Sequence, residues 1–363
     1  MSFRFEHRVT RLRSRMDEPG VDALLITSRP NVRYLSGFTG SAGSLLMGKD
    51  LAVLLTDKRY TLRARNEAPG FEILTPENPD DDILKTQIES RGLRKIGFEA
   101  HHVTVKSLER WREKYNELGV EWVPTNGVVE NLRMVKDAEE IACIRAACGI
   151  ADAAFQHIQL FLQPETVEID VAMELEFFMR RQGARRPAFE SVVASGENSA
   201  IPHAEVSERR FQPGDFVTLD FGAEVEGYCS DITRTVVIGR STAEQRRIYE
   251  TVLEAQMRAI EAIKPGAKGV DIDAIARQVI TDAGYGDYFT HSLGHSLGLI
   301  VHDGEGFSQK SELVLEPGMV FTVEPGIYIE GFGGVRIEDD VLVTEEGAEV
   351  LTHSPKHLME FPA

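Results

Sequence analysis

Short apolar runs alternate along this chain with longer segments whose apolar positions recur every three or four residues. The first pattern predicts strands and the second predicts helices packed on one face. In the first third, DALLITS (22–28), SLLMG (44–48), LAVLLTD (51–57) and KIGFEA (95–100) read as strands. Polar, helix-spaced stretches such as SLERWREKYNELG (107–119) lie between them, and Phe5, Val9, Leu12 and Met16 fall on one helical face near the start. This alternation predicts a separate α/β domain over residues 1–128, with PTNGVVEN (124–131) marking the junction.

From 129 to 363 the pattern changes character, because it occurs twice. Residues 137–182 predict two helices and residues 243–283 predict two more. Asp137 with Glu140 and Thr242 with Gln245 have the spacing of capping boxes, and Gly183 and Gly284 stand where helices stop. Each helix pair is followed by a similar strand block. Pro213-Gly214 leads through a Thr-containing apolar run to Asp220 and Gly222; Pro317-Gly318 leads likewise to Glu324 and Gly326. Both acids lie seven residues after the proline. A second acid follows each block, Asp231 in CSDITRTVVIG and Glu338 in GVRIEDDVLV. A duplicated helix–helix–strand–strand unit, folded about a pseudo-twofold axis, would gather two acids from each half at one centre.

At 363 residues the chain has length for two domains, and 42% hydrophobic with 27% charged residues is ordinary for a globular protein. A net charge of −18 argues against binding nucleic acid through phosphate neutralisation. No run approaches a membrane-spanning length, and the charged N-terminal stretch lacks the apolar core of a secretory signal. Three cysteines without a Cys-x-x-Cys pair are expected as reduced packing residues of a cytoplasmic protein. There is no Walker loop, and GFTGSAG (37–43) lacks the strand and helix context of a dinucleotide site.

The candidate chemistry is Asp220, Asp231, His295, Glu324 and Glu338, each in or beside an apolar run. Buried carboxylates are costly and clustered ones more so, unless positive charge compensates them. Two divalent metal ions would do so. Oxygen ligands with one imidazole suit Mn²⁺ and tolerate Co²⁺ or Zn²⁺. Such a centre activates water and polarises a carbonyl, so metal-assisted hydrolysis is the expected reaction class. Any one of these acids alone is more often structural. Among the other histidines, His302 is placed to donate to a developing oxyanion, and His203 to line a substrate pocket. His291 reads equally as a structural partner or a catalytic group. Pro355 breaks the metal-like spacing of His353 and His357, which read as surface residues. Arg336 lies two residues before Glu338, on the same side of a strand. There it could orient substrate, hold a ligand carboxylate, or only neutralise charge.

LDFG with Asp220, SDITRT with Asp231, HSLGHSLG with His295, VEPGIY with Glu324 and VRIEDD with Glu338 together resemble the pita-bread metallopeptidases. That is the family of methionine aminopeptidase, prolidase and aminopeptidase P. The resemblance implies an α+β catalytic pita-bread domain with an internal pseudo-twofold repeat, behind a smaller α/β creatinase-type domain. It places the metal ligands on the five residues named above. Matches at His203, His302 and Arg336 imply the proline-specific branch. In that branch Glu324 shuttles a proton, and His203, His291 and Tyr328 hold substrate. NVRYLSGFTGSAG and LLTDKRY resemble aminopeptidase P, although Lys58 stands where glycine is commoner. The implied activity is therefore release of the N-terminal residue from peptides with proline second. A Xaa-Pro dipeptidase is the alternative, and a non-catalytic partner-binding protein a remote one, since all five ligands are intact. A homodimer or homotetramer is the implied assembly.

Overall fold

The strand-like runs of the first third pair into one six-stranded sheet in the computed structural model, which describes residues 5–16, 19–78 and 80–363. Residues 1–4, part of the charged N-terminal stretch, lie outside the described residues. The chain divides into two units, Met1–Arg133 and Met134–Ala363. In the first, helices α1 (Phe5–Ser14), α2 (Arg29–Ser36), α3 (Thr61–Glu67), α4 (Ile83–Arg91) and α5 (Val105–Lys114) accompany the sheet. Its strands are β1 (Ala23–Ile26), β2 (Gly43–Met47), β3 (Ala52–Thr56), β4 (Glu72–Leu74), β5 (Lys95–Glu99) and β6 (Glu121–Thr125), in the order β4-β3-β2-β1-β5-β6. β1 is buried along its whole length, which explains its unbroken apolar sequence. Leu25, Leu46, Val53, Ile96, Phe98 and Trp122 contribute to the core beneath it. Ser28, the residue before α2, makes no side-chain cap. Buried Glu99 anchors the chain just ahead of the helix instead, accepting the N–H groups of Thr27 and Ser28 at 2.7 and 2.9 Å. A short helix, α6 (Glu130–Met134), runs across the division.

The second unit realises the repeat. Its first half has the helix pair α7 (Ala138–Ile158) and α8 (Glu168–Arg181), followed by six strands. These are β7 (Arg186–Pro187), β8 (Val192–Ser195), β9 (Phe216–Phe221), β10 (Ala223–Val225), β11 (Tyr228–Cys229) and β12 (Ile232–Ile238). The second half has α9 (Ala243–Ala262) and α10 (Gly269–Asp282). Its strands are β13 (Val320–Val323), β14 (Gly326–Ile329), β15 (Gly333–Arg336), β16 (Asp339–Val343), β17 (Ala348–Val350) and β18 (Glu360–Phe361). Both capping boxes form, on α7 and α9, each worth about 1 kcal/mol. Gly183 and Gly284 take the left-handed backbone, at φ 105° and 90°, just after α8 and α10.

Each half buries its own apolar cluster. Phe155, Leu175, Val217, Leu219 and Ile232 belong to the first; Ile248, Ile272, Phe321, Val335 and Val341 belong to the second. β9 pairs antiparallel with β12, and β13 with β16. The turn at Glu226-Gly227, with positive φ at both residues, closes a small β10–β11 hairpin and not the β9–β12 pair itself. All three cysteines are free and buried, as expected. Cys148 does more than pack, because its Sγ donates to Asp340 Oδ2 at 3.2 Å. Among the described residues, no helix is long and apolar enough to cross a membrane.

Candidate functional site

Strand register delivers the acids. Asp220 sits on β9 opposite Thr233, and Asp231 immediately precedes β12. Glu324 follows β13, and Glu338 lies between β15 and β16. His295 is on a loop stitched to β13, where its N–H donates to Thr322 Oγ1 at 3.0 Å and its carbonyl accepts from Thr322 N at 2.9 Å. The preceding Gly294 is required by packing, since a Cβ there would stand 2.0 Å from the Thr322 carbonyl oxygen.

These elements converge. Asp231, His295 and Glu338 each offer a ligand atom, all within 4.8 Å of one another. His295 Nε2 lies 3.5 Å from both Asp231 Oδ2 and Glu324 Oε1. Asp220 stands outside the tight trio but lines the same 360 Å³ cavity, with His291, His295, His302, Glu324 and Arg336. His203 is exposed at its rim.

The electrostatics call for cations. Burial, then the charges of Glu338 and Asp220, push the Asp231 carboxyl far above its usual range. Burial, then Glu324 and Asp220, do the same to Glu338. Burial also raises Glu324, although His295 and Arg336 oppose it. Asp220 Oδ1 and Asp231 Oδ1 are buried with no hydrogen-bond partner among the described residues. His295 Nδ1 faces the Ser296 carbonyl at 3.2 Å, so its proton sits there and Nε2 is left as a ligand atom facing the acids. Orphaned carboxylate oxygens, like charges and a correctly turned imidazole fit divalent cations held by Asp220, Asp231, His295, Glu324 and Glu338.

Arg336 is buried and all three of its guanidinium nitrogens are engaged. It donates to Asp220 Oδ2 at 2.6 Å, Tyr328 Oη at 2.9 Å, Thr233 Oγ1 at 3.0 Å and the Pro202 carbonyl at 3.2 Å. Tyr328 Oη in turn lies 2.9 Å from His291 Nε2, and His291 Nδ1 lies 2.8 Å from the Ser292 carbonyl. The tautomer follows: Nδ1 carries the proton and Nε2 accepts from tyrosine. Burial holds His291 down at about 4, so the ring is neutral near pH 7. The His302 ring stacks obliquely on His295, with centroids 4.1 Å apart. Burial, then the neighbouring His295, lower its pKa, which leaves a neutral N–H donor facing the cavity. His353 and His357 are exposed.

Three neighbours were not anticipated from the sequence. Thr233 donates to Glu338 Oε2, Thr322 donates to Glu324 Oε1, and Asp340 Oδ2 accepts from Asp231 N. The threonines carried a readable signal, each two residues from an acid and so on the same strand face. Asp340 carried none, because nothing local distinguishes it from its neighbour Asp339.

Comparison with known proteins identifies the family of both domains. Residues 142–345 match the profile of metallopeptidase family M24, and residues 8–135 that of the creatinase/prolidase N-terminal domain. A Xaa-Pro dipeptidase of Pyrococcus furiosus is 40% identical over 98% of this chain and 100% of its own. The structure of a Xaa-Pro dipeptidase from Bacillus anthracis is 48% identical, with TM-score 0.95 over 98% of this chain and 100% of that one. An X-Pro aminopeptidase from Thermotoga maritima is 38% identical with TM-score 0.89, over the same shares. The chain belongs to metallopeptidase family M24, with a pita-bread catalytic domain behind a creatinase/prolidase N-terminal domain.

Proposed function

We propose that this chain hydrolyses the bond between an N-terminal residue and a following proline. The observation that carries the reading is the meeting of Asp231, His295 and Glu338 within 4.8 Å, at a cavity that also presents Glu324 and neutral His302. Two divalent cations, when bound, supply an activated water and a Lewis acid for the carbonyl. The remaining chemistry falls to side chains. As in any amide hydrolysis, the scissile nitrogen must gain a proton before it can leave, here as the secondary amine of proline. Glu324, whose pKa burial raises, is placed to hold that proton and pass it on. His302 donates to the oxygen that becomes negative, a role typically worth about 10²–10³-fold in rate. Arg336 fixes Asp220 and Tyr328, and Tyr328, His291 and His203 hold the substrate.

Within this class we favour Xaa-Pro dipeptides. The names of the Pyrococcus furiosus and Bacillus anthracis relatives, at 40% and 48% identity, support that choice. The aminopeptidase reading drawn from GFTGSAG and TDKRY is the second, and the Thermotoga maritima structure supports it. We further propose Mn²⁺ as the working metal, a homodimer or homotetramer as the assembly, and the cytoplasm as its compartment. The test is a comparison of kcat/KM for Xaa-Pro dipeptides, Xaa-Pro-Yaa tripeptides and longer peptides, with and without Mn²⁺. Dipeptides should be cleaved best. Preference for the longer peptides would establish the aminopeptidase, and no cleavage of either would overturn both readings.

A further inference from the structure

Thr233 is fully buried on β12 and belongs neither to the candidate ligand set nor to the cavity lining. Its hydroxyl donates to Glu338 Oε2 at 2.5 Å and accepts from Arg336 Nε at 3.0 Å. Its carbonyl accepts from Glu338 N at 3.1 Å and from Arg234 Nη1 at 2.9 Å. Arg336 continues the line to Asp220 Oδ2 at 2.6 Å. A hydroxyl has one proton to give, and here both giving and receiving are used. One side chain therefore closes a chain from Asp220 through Arg336 to Glu338, joining an acid of the first half to an acid of the second.

We propose that Thr233 is a positioning residue for the metal centre. By tying Glu338 Oε2 it fixes the plane of that carboxylate. Through Arg336 it holds Asp220 with Oδ1, the oxygen that has no partner among the described residues, left for a cation. The inference rests on reading these acids as ligands. Valine has the shape of threonine without the hydroxyl, so Thr233→Val would leave a buried guanidinium N–H and a buried carboxylate oxygen unpaired. Partners behind a metal ligand typically matter by about 10–100-fold in metal affinity.

The experiment is calorimetric titration of Mn²⁺ into the full-length, chelator-stripped protein, with the melting temperature of each metal-free form measured alongside. Wild type should take two ions. Thr233→Val should bind at least one of them about 10–100-fold more weakly, and Thr233→Ser, which keeps the hydroxyl, should stay within about threefold of wild type. If the valine variant does not fold, Thr233→Ala must show the same weakening. A Thr233→Val protein with a lowered melting temperature but unchanged Mn²⁺ affinity would overturn the proposal in favour of a purely structural threonine. So would a serine variant as weak as the valine one. A wild type that binds no Mn²⁺ would instead refute the metal-centre reading itself, and this inference with it.

Discussion

In the first half of the repeat the two acids are aspartates, and in the second they are glutamates. The two halves also hold them differently. Asp220 and Asp231 project from β9 and the start of β12, and each keeps one buried oxygen without a partner among the described residues. In the second half Thr322 pairs opposite Asp340 and Val323 opposite Asp339, so Glu324 and Glu338 sit just past the paired ends. Each glutamate is tethered through a threonine hydroxyl, at 3.1 and 2.5 Å. The difference follows from rotors. A glutamate has one more rotatable bond than an aspartate, so orienting its carboxylate costs more entropy unless a hydrogen bond confines it. Asp231 needs only its backbone fixed, which Asp340 does by accepting its N–H at 2.9 Å.

The sharpest way to break this comparison is to disable one half at a time. Asp231→Asn and Glu338→Gln keep shape and remove charge from the two acids that meet at His295. Each should lower kcat/KM by roughly 10³-fold or more and reduce bound metal, measured by elemental analysis beside kinetics. If either variant keeps wild-type metal content and rate, the two halves do not build one centre.

A next smaller loss is expected from His302, which borders the acids without joining them. His302→Ala should lower kcat by about 10²–10³-fold while metal content stays at two ions. Equal metal loss in the His302→Ala and His295→Ala proteins would mean that the two stacked rings have been assigned the wrong way round.

Much of this arrangement was legible before any coordinates, and the reason is periodicity. The capping boxes at Asp137 and Thr242, the stops at Gly183 and Gly284 and the Pro-Gly-led strands are local signals, and local signals survive folding. Long-range partners were not legible. Arg234 and Asp339 form a buried pair at 2.7 Å, with Lys356 on the same carboxylate at 2.7 Å, yet the three are scattered along the chain. Asp339 and Asp340 lie side by side and look alike in sequence. Cations hold Asp339 below its usual range despite burial, whereas burial drives Asp340 well above it. Only the tertiary fold decides which neighbour each one meets.

A subtler asymmetry lies at the start of the second helix in each half. α8 begins with Glu168 and α10 with Gly269, each just after an isolated strand bridge. Glu168 is fully buried and accepts from Ser195 N and Oγ at 2.7 Å each, and from Ser207 Oγ at 2.5 Å. Those two serines bracket the segment that carries Pro202 and His203, so one carboxylate ties both ends of a loop that lines the cavity. Gly269 has no such reach and packs against Ser311. Glu168→Gln, which puts an amide among these donors, should raise KM about fivefold with kcat and metal content little changed, for a loss of about 1 kcal/mol. A fall in kcat with unchanged KM would show that the loop does not act through substrate binding.

The smallest expected effect separates His291 from His302, the two rings on either side of His295 in sequence. Burial lowers His291 from 6.5 to about 4. Its Nε2 accepts from Tyr328 Oη, and protonation would remove that acceptor. The sign of the pH effect follows. Between pH 6.5 and about 4 the unfolded chain binds a proton at this position that the folded chain refuses. Stability from His291 is therefore fully present above 6.5 and is lost as pH falls through that value towards 4. One such proton contributes a slope of at most about 1.4 kcal/mol per pH unit, and partial exposure of the ring reduces it. His291→Gln removes the titration, so its melting temperature should decline less steeply than wild type over this window, and the two curves should run parallel above pH 7. Scanning calorimetry of the metal-free proteins reads this directly. Parallel curves through the acid window as well would mean that the imidazole is not held neutral by its surroundings, and the Arg336–Tyr328–His291 line would lose its assigned direction.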